Sequence, residues 1–248
     1  MPSRRYSLVP ENTAKAGVQT FENAEVALLG YESGDDIIID IYESGRNIHD
    51  ENTKTLFGIT PDDLMWPEAR KAAKVFQFGG LSYGGGDREI YKKVLMAAPK
   101  LPLTFDKFVT AKHNWMDAHP RYVTWKDDVV ARVSRDRKLY NAFGRMRIFL
   151  GSPRDIIKEG MNFMIQSAGA CLINRAMIRI YDRIRTEHLD TRIIMQVYDE
   201  IVLEAPDDQV EASKAILVEE MQRPFQMRGR TCVIRAEAGV GKTYGDAK

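Results

Sequence analysis

The sequence predicts an α+β fold with antiparallel strands and long helical tracts. Short apolar runs rich in β-branched residues form hairpin-like pairs, and tracts of helical period lie between them. The two kinds of element do not follow the regular strand–helix–strand alternation of a doubly wound sheet.

Taken in order, residues 1–17 are polar and basic, with Pro10 and Gly17 as breakers. Val18 to Leu29 reads as a strand running into a helix, and Gly34-Asp35-Asp36 as a turn. Ile37 to Tyr42 is apolar, and after the Ser44-Gly45 break Asn47 to Phe57 reads as a helix. Thr60 is expected to cap a helix beginning at Pro61, because proline is favoured at the first helical position. Glu68 to Phe78 has strong helical character, ended by Gly79-Gly80 and Gly84-Gly85-Gly86. Residues 87–120 read as helical with breaks at Pro99, Pro102 and Pro120, and residues 121–150 as short strand-like pieces around Asn141-Ala142-Phe143-Gly144. Arg154 to Arg185 is a long helical tract, expected to be interrupted. A hairpin follows, then a helix from about Asp208 to Met221 and a final strand from Thr231 to Ala238.

The most informative stretch is Ile194-Met195-Gln196-Val197-Tyr198-Asp199-Glu200-Ile201-Val202-Leu203-Glu204. Two adjacent acids sit between two apolar runs, so they fall at the turn of a hairpin. Carboxylates gathered at strand ends are costly to bury without a metal or cation to meet them. Taken alone, an acidic surface turn explains the pattern as well.

Composition sets bounds. The chain has 248 residues, 44% of them hydrophobic, enough for one or two domains. The sequence contains no apolar run of eighteen residues and no charged-then-apolar leader, so neither a membrane span nor a secretory signal is expected. Cys171 and Cys232 lie far apart in apolar contexts and read as free thiols of a reducing compartment. Net charge is +1. Arg132, Arg135, Arg137, Lys138, Arg145, Arg147, Arg154 and Lys158 make residues 132–158 basic, and residues 200–220 are acidic. A polyanion track beside a cation site is one reading, and a solvated basic helix and loop is the other.

Three further constellations carry chemistry. Arg70, Lys74 and Phe78 fall at i, i+4 and i+8, so a helix places two cations and one ring on one stripe. With Leu81-Ser82-Tyr83-Gly84 beyond them, they suit a nucleotide's phosphates and base; an amphipathic surface helix with one core phenylalanine is the alternative. Lys158, Asn162 and Gln166 share a helix face and could read base edges or sugars in a minor groove, or simply face solvent. Gly239-Val240-Gly241-Lys242-Thr243 imitates a phosphate loop but has Ala236 where the first glycine belongs and too little chain for the following helix. An exposed turn after the last strand is expected there.

Together these segments resemble the palm and fingers of a family A (DNA polymerase I-like) DNA polymerase, phage-like in its compactness, over about Arg4 to Lys248. Met195-Gln196-Val197-Tyr198-Asp199-Glu200 resembles motif C, with tyrosine where the family usually has histidine. Arg70-x-x-x-Lys74-x-x-x-Phe78 followed by Tyr83-Gly84 resembles motif B. Phe21-Glu22-Asn23-Ala24-Glu25 resembles motif A, with Glu25 where the sugar 2′ position is screened. Asn47-Ile48-His49 and Leu56-Phe57-Gly58 resemble the fingers segment after motif A, and Asn141-Ala142-Phe143-Gly144-Arg145 the segment following the fingers. Lys158, Asn162 and Gln166 look like primer-template contacts, and residues 239–244 like the terminal turn.

The resemblance implies one polymerase module with an antiparallel palm sheet (1–33 and 121–248), flanking helices and helical fingers (34–120). It implies template-directed nucleotidyl transfer from dNTPs with Mg²⁺, or alternatively Mn²⁺, in a two-metal mechanism. Asp199 and the Phe21 carbonyl are the implied metal ligands, with Glu200 supporting. Lys74 and Arg70 are implied at the triphosphate, and Phe78, Glu25, Tyr83 and His49 elsewhere on the nucleotide. Lys158, Asn162, Gln166, Arg145 and Tyr198 are implied on primer-template DNA. A bacterial or phage-infected cytoplasm is the implied setting, with no membrane partner.

Three departures stand out. The motif A aspartate position, five before Glu25, is Thr20, and a neutral hydroxyl is a poor substitute for a carboxylate bridging two Mg²⁺ ions. This favours, as the alternative, a catalytically impaired subunit that binds DNA or nucleotide. Motif B carries one extra residue near Gly79-Gly80, which a local bulge could absorb. Thumb and exonuclease regions are expected to be absent, so a separate chain could supply them.

Overall fold

The computed structural model describes residues 23–77 and 86–247, and the backbone of residues 15–21. Phe78, Tyr83 and Glu22 lie outside the described residues. Two compact units are present: Met1–Ala24, Gly169–Gln226 and Thr231–Lys248 form one, and Glu25–Ala168 with Met227–Arg230 the other.

The first unit is built on a four-stranded antiparallel sheet of order β4-β5-β1-β8. Its strands are β1 (Lys15–Phe21), β4 (Arg192–Val197), β5 (Glu200–Ala205) and β8 (Ala236–Gly241). β1 is central, pairing Thr20 with Glu200 on one side and with Glu237 on the other. Helix α9 (Val210–Met221) packs on β1, β5 and β8. Its buried Val210, Ile216 and Leu217 serve the same core as Ile201, Leu203 and Ala205. Arg179 on helix α8 (Pro153–Thr186) ties α9 down, donating from Nε to Glu220 Oε2 (2.7 Å).

The second unit is helical, with α1 (Ala24–Ser33), α2 (Asp36–Glu43), α3 (Ile48–Phe57), α4 (Trp66–Val75), α5 (Asp87–Ala97), α6 (Phe105–Ala118) and α7 (Pro120–Asp136). The hairpin of β2 (Lys138–Tyr140) and β3 (Met146–Ile148) follows α7. Asn47 caps α3 by accepting from the His49 and Asp50 amides, and Gly58 ends it at φ +65°. Its core is aromatic: Phe76 lies edge-on to Phe108 and Trp115, and Tyr122 edge-on to Trp115. A short hairpin is formed by β6 (Phe225–Met227) and β7 (Arg230–Cys232).

The mixed α+β architecture is the one expected, and four local expectations are corrected. The helix expected at Pro61 begins at Trp66. Residues 60–66 instead form turns, with the Asp63 amide bonded to the Thr60 carbonyl and the Met65 amide to Asp63 Oδ1 (2.7 Å). The strand-like pieces expected across 121–150 give way, up to Asp136, to the 17-residue helix α7. Its buried Tyr122, Trp125, Val129 and Val133 keep a helical stripe, and Arg137 at φ +53° ends it. The tract expected to be interrupted is α8, one helix of 34 residues. Gly160 does not break it: a Cβ there would meet Leu139 and Val133 at 3.2 Å, so the glycine admits close packing. The final strand is β8, not Thr231–Ala238, and it takes in Gly239 and Gly241, which were expected in an exposed turn.

Candidate functional site

In the first unit the hairpin of β4 and β5 closes at Tyr198-Asp199, with Val197 paired to Glu200. Tyr198 occupies the left-handed region at φ +53° and is 90% exposed. A non-glycine residue there costs about 1 kcal/mol, a local strain that presents ring and carboxylate together at the turn. Asp199 and Glu200 are half-buried. The Tyr244 hydroxyl donates to Glu200 Oε2 (2.6 Å). The end of β1, with the backbone of Phe21, belongs to the same sheet.

A bridged pair of divalent cations needs anionic oxygens on more than one strand. Glu200 and Glu237 flank the Thr20 position in one register row, on opposite sides of β1. Their backbones lie about 10 Å apart, so neither replaces a carboxylate rooted at position 20. Among the described residues no three His, Cys, Asp or Glu side chains group so as to hold a metal ion. Among the described residues, Asp199 and the Phe21 carbonyl would supply only part of the oxygens that a bridged pair requires.

In the second unit His49, Arg70 and Lys74 come together from α3 and α4. His49 is 7% exposed. Its pKa falls from the ordinary 6.5 to about 4, chiefly because burial disfavours the charged ring, with Lys74 and Arg70 adding like-charge repulsion. The group is thus two cations and a neutral imidazole. Arg70 Nε donates to Asp50 Oδ1 (2.5 Å), which aims the guanidinium. Buried Ala69, Ala72 and Ala73 place the other face of α4 in the core. Past Val75 the helix widens into a π turn at Phe76-Gln77, a device that accommodates one extra residue.

That turn is pinned by a network the sequence reading missed. Asn52 Nδ2 donates to Gln77 Oε1 (2.7 Å), and Trp115 Nε1 donates to Asn52 Oδ1 (3.0 Å). His119 stacks on Trp115 at 3.8 Å, and its Nδ1 lies 2.9 Å from Asp35 Oδ1, which caps α2. Sequence offers one faint signal, the amide Asn52 one turn from the apolar Ile48 and Leu56 on α3.

The remaining predicted residues fall as follows. Glu25, in the first turn of α1, accepts a hydrogen bond from Gln166 Nε2, so two residues predicted for separate roles meet. Asn162 and Gln166 are both exposed on α8. Lys158 is engaged: its Nζ donates to Glu89 Oε2 (2.8 Å), and Lys158 and Lys93 hold that carboxyl down at about 2. Other cations of the basic run are paired as well, Arg132 with Asp128, Arg135 with Asp136 and Arg147 with Glu159. Arg145 is exposed in the β2–β3 turn, which Asn141 organises by accepting from the Phe143 and Arg145 amides.

The fold combines an acidic hairpin on an antiparallel sheet in one unit with a pair of helices carrying Arg70, Lys74 and His49 in the other. The family model for DNA polymerase family A matches residues 3–246. The chain is 27% identical over 251 residues to the thermostable DNA polymerase I of Thermus thermophilus, covering 98% of this chain and 28% of that protein. It is 26% identical to the thermostable enzyme of Thermus aquaticus and 27% identical to DNA polymerase I of Geobacillus stearothermophilus. Each covers 92% of this chain, which spans 27% and 26% of their lengths. The POL domain of Pol1 from M. smegmatis, solved with DNA primer-template and dNTP, superposes with a TM-score of 0.83 at 21% identity, over 96% of this chain and 41% of that one. The chain belongs to DNA polymerase family A. It spans little more than a quarter of the length of these relatives.

Proposed function

We propose that this chain performs template-directed DNA synthesis, joining a dNTP to a primer 3′-hydroxyl with release of pyrophosphate. The observation that carries the reading is the group of Arg70, Lys74 and neutral His49 on adjoining helices. Two neighbouring cations suit a triphosphate, and a neutral imidazole adds a donor without a third charge to neutralise. Arg70 and Lys74 offset the charge that grows on the departing pyrophosphate. Phe78 and Tyr83 follow on the same segment as the base and sugar contacts, and Glu25 screens the sugar 2′ position. Lys158, Asn162, Gln166, Arg145 and Tyr198 serve primer-template DNA, with Lys158 exchanging Glu89 for a phosphate. Asp199 and Glu200 stand at the reacting centre. In this reading residues 34–120 are the fingers and the remainder the palm, working in a bacterial or phage-infected cytoplasm.

A second reading, nucleotide and DNA binding without turnover, is favoured by Thr20. The deciding experiment is primer extension with Mg²⁺ and with Mn²⁺, comparing the native chain, Thr20→Asp and Asp199→Ala. Synthesis predicts extension by the native chain and a loss of roughly a hundredfold or more, about 2.7 kcal/mol, in Asp199→Ala. Extension only after Thr20→Asp, with nucleotide binding intact throughout, makes the second reading the correct one.

A further inference from the structure

The glycines of the false phosphate loop serve a different purpose. A Cβ at Gly239 would lie 1.9 Å from the Ala247 carbonyl oxygen, and one at Gly241 would lie 2.6 Å from the Ala247 nitrogen. The turn after β8 therefore lies directly on the strand, as glycine within a strand permits. The Asp246 and Ala247 amides donate to the Thr243 carbonyl at 3.2 Å, and Thr243 Oγ1 donates to Asp246 Oδ2 (2.8 Å). Ala247 packs on Val202, with Met195 and Tyr244 against the pair. Val202 and Gly239 share one register row across β1, and Glu200 stands in the next row along that face. The docked turn so delivers the Tyr244 hydroxyl to Glu200 Oε2 at 2.6 Å.

We propose that Tyr244 is a positioning residue for Glu200: the docked C-terminal turn holds this carboxylate in one orientation beside Asp199. The proposal rests on the polymerase reading for its catalytic consequence but not for the bond itself. Packing of Ala247 and Met195 anchors the turn without any need for a carboxylate, yet the hydroxyl meets the second acid of the hairpin. A short hydroxyl–carboxylate bond is of the charge-assisted kind, and it removes rotamer freedom from a long side chain. Asp199 is joined to Glu200 by one peptide bond, so the turn also restrains the hairpin tip.

The test uses the full chain. Tyr244→Phe keeps the ring and removes only the hydroxyl. Amide hydrogen exchange over residues 243–247 is measured in the native chain, Tyr244→Phe, Glu200→Gln and the double variant. Coupling predicts that either single change speeds exchange and that the double adds nothing; additive effects overturn the proposal whether or not the chain synthesises DNA. In primer extension, Tyr244→Phe is expected to lower kcat about tenfold with KM for dNTP unchanged, and to have no further effect in Glu200→Gln. A raised KM with kcat intact, or a second tenfold loss in the Glu200→Gln background, overturns it. Absence of extension by the native chain counts against the polymerase reading alone, and the exchange cycle then decides the proposal.

Discussion

His49 provides the sharpest test of how the group of Arg70, Lys74 and His49 is built. Its ring is neutral because burial excludes charge and because Lys74 and Arg70 repel it, which brings the pKa from 6.5 to about 4. Unfolding releases the ring to its ordinary value. Between about pH 6.5 and pH 4 the unfolded chain binds a proton that the folded chain refuses, so acidification through that window destabilises the fold. No penalty exists above pH 6.5, and it is complete below about 4. The gap of about 2.5 pH units, at about 1.4 kcal/mol per unit, amounts to about 3 kcal/mol. Two assays read it. NMR titration of the imidazole, assigned with His49→Gln, is expected to give a midpoint near 4. Urea unfolding at pH 7 and pH 4.5 is expected to show the native chain losing about 2–3 kcal/mol more than His49→Gln. A midpoint at 6 or above, or equal losses in the two proteins, refutes the reasoning. Addition of dNTP should raise the midpoint, because a triphosphate offsets the two cations that suppress protonation.

Other consequences are equally direct. Asn52→Ala strands the Trp115 indole N–H and the Gln77 carbonyl oxygen in the core, and unfolding titrations should show a loss of about 2–4 kcal/mol. Gly239→Ala places a Cβ where the Ala247 carbonyl sits, so limited proteolysis should release the last residues far faster than in the native chain, whereas Gly86→Ala, with open space at its Cβ, should behave as native. Asp35 is pushed up by burial but brought below its ordinary value by the His119 hydrogen bond and charge and by the Ile38 amide. Its contribution is therefore present above about pH 4 and fades as the pH falls through its lowered value. Asp35→Asn should cost about 1–2 kcal/mol at pH 7, with a gap from native that shrinks towards pH 3 in urea unfolding.

Much of the fold and part of the site were legible in the order of residues. The apolar runs around Asp199-Glu200 place those acids at a hairpin turn because side chains alternate along a strand. The i, i+4 spacing of Arg70 and Lys74 places them on one helix face for an equally local reason. Asn47 and Gly58 mark the ends of α3 through capping and left-handed geometry that neighbours alone specify. Where local signals conflicted, the reading failed. Asn141-Ala142-Phe143-Gly144 suggested strand-like pieces across 121–150, while the stripe of Tyr122, Trp125, Val129 and Val133 already described α7; the break expected at Pro120 is present, between α6 and α7.

The sequence by itself determined which residues are acids, cations and aromatics, and which repeat at 2 or 3.6 residues. Only the tertiary structure decided their chemical state and partners. His49 is neutral because α4 brings Lys74 and Arg70 to a buried ring. Lys158 is paired because Glu89, 69 residues away, faces it. Glu200 is oriented because Gly239 and Gly241 let a turn lie on the sheet and bring Tyr244 across 44 residues of sequence. Periodicity reports a residue's neighbours within a turn or a strand, whereas burial and long-range pairing exist only once distant segments have closed on one another.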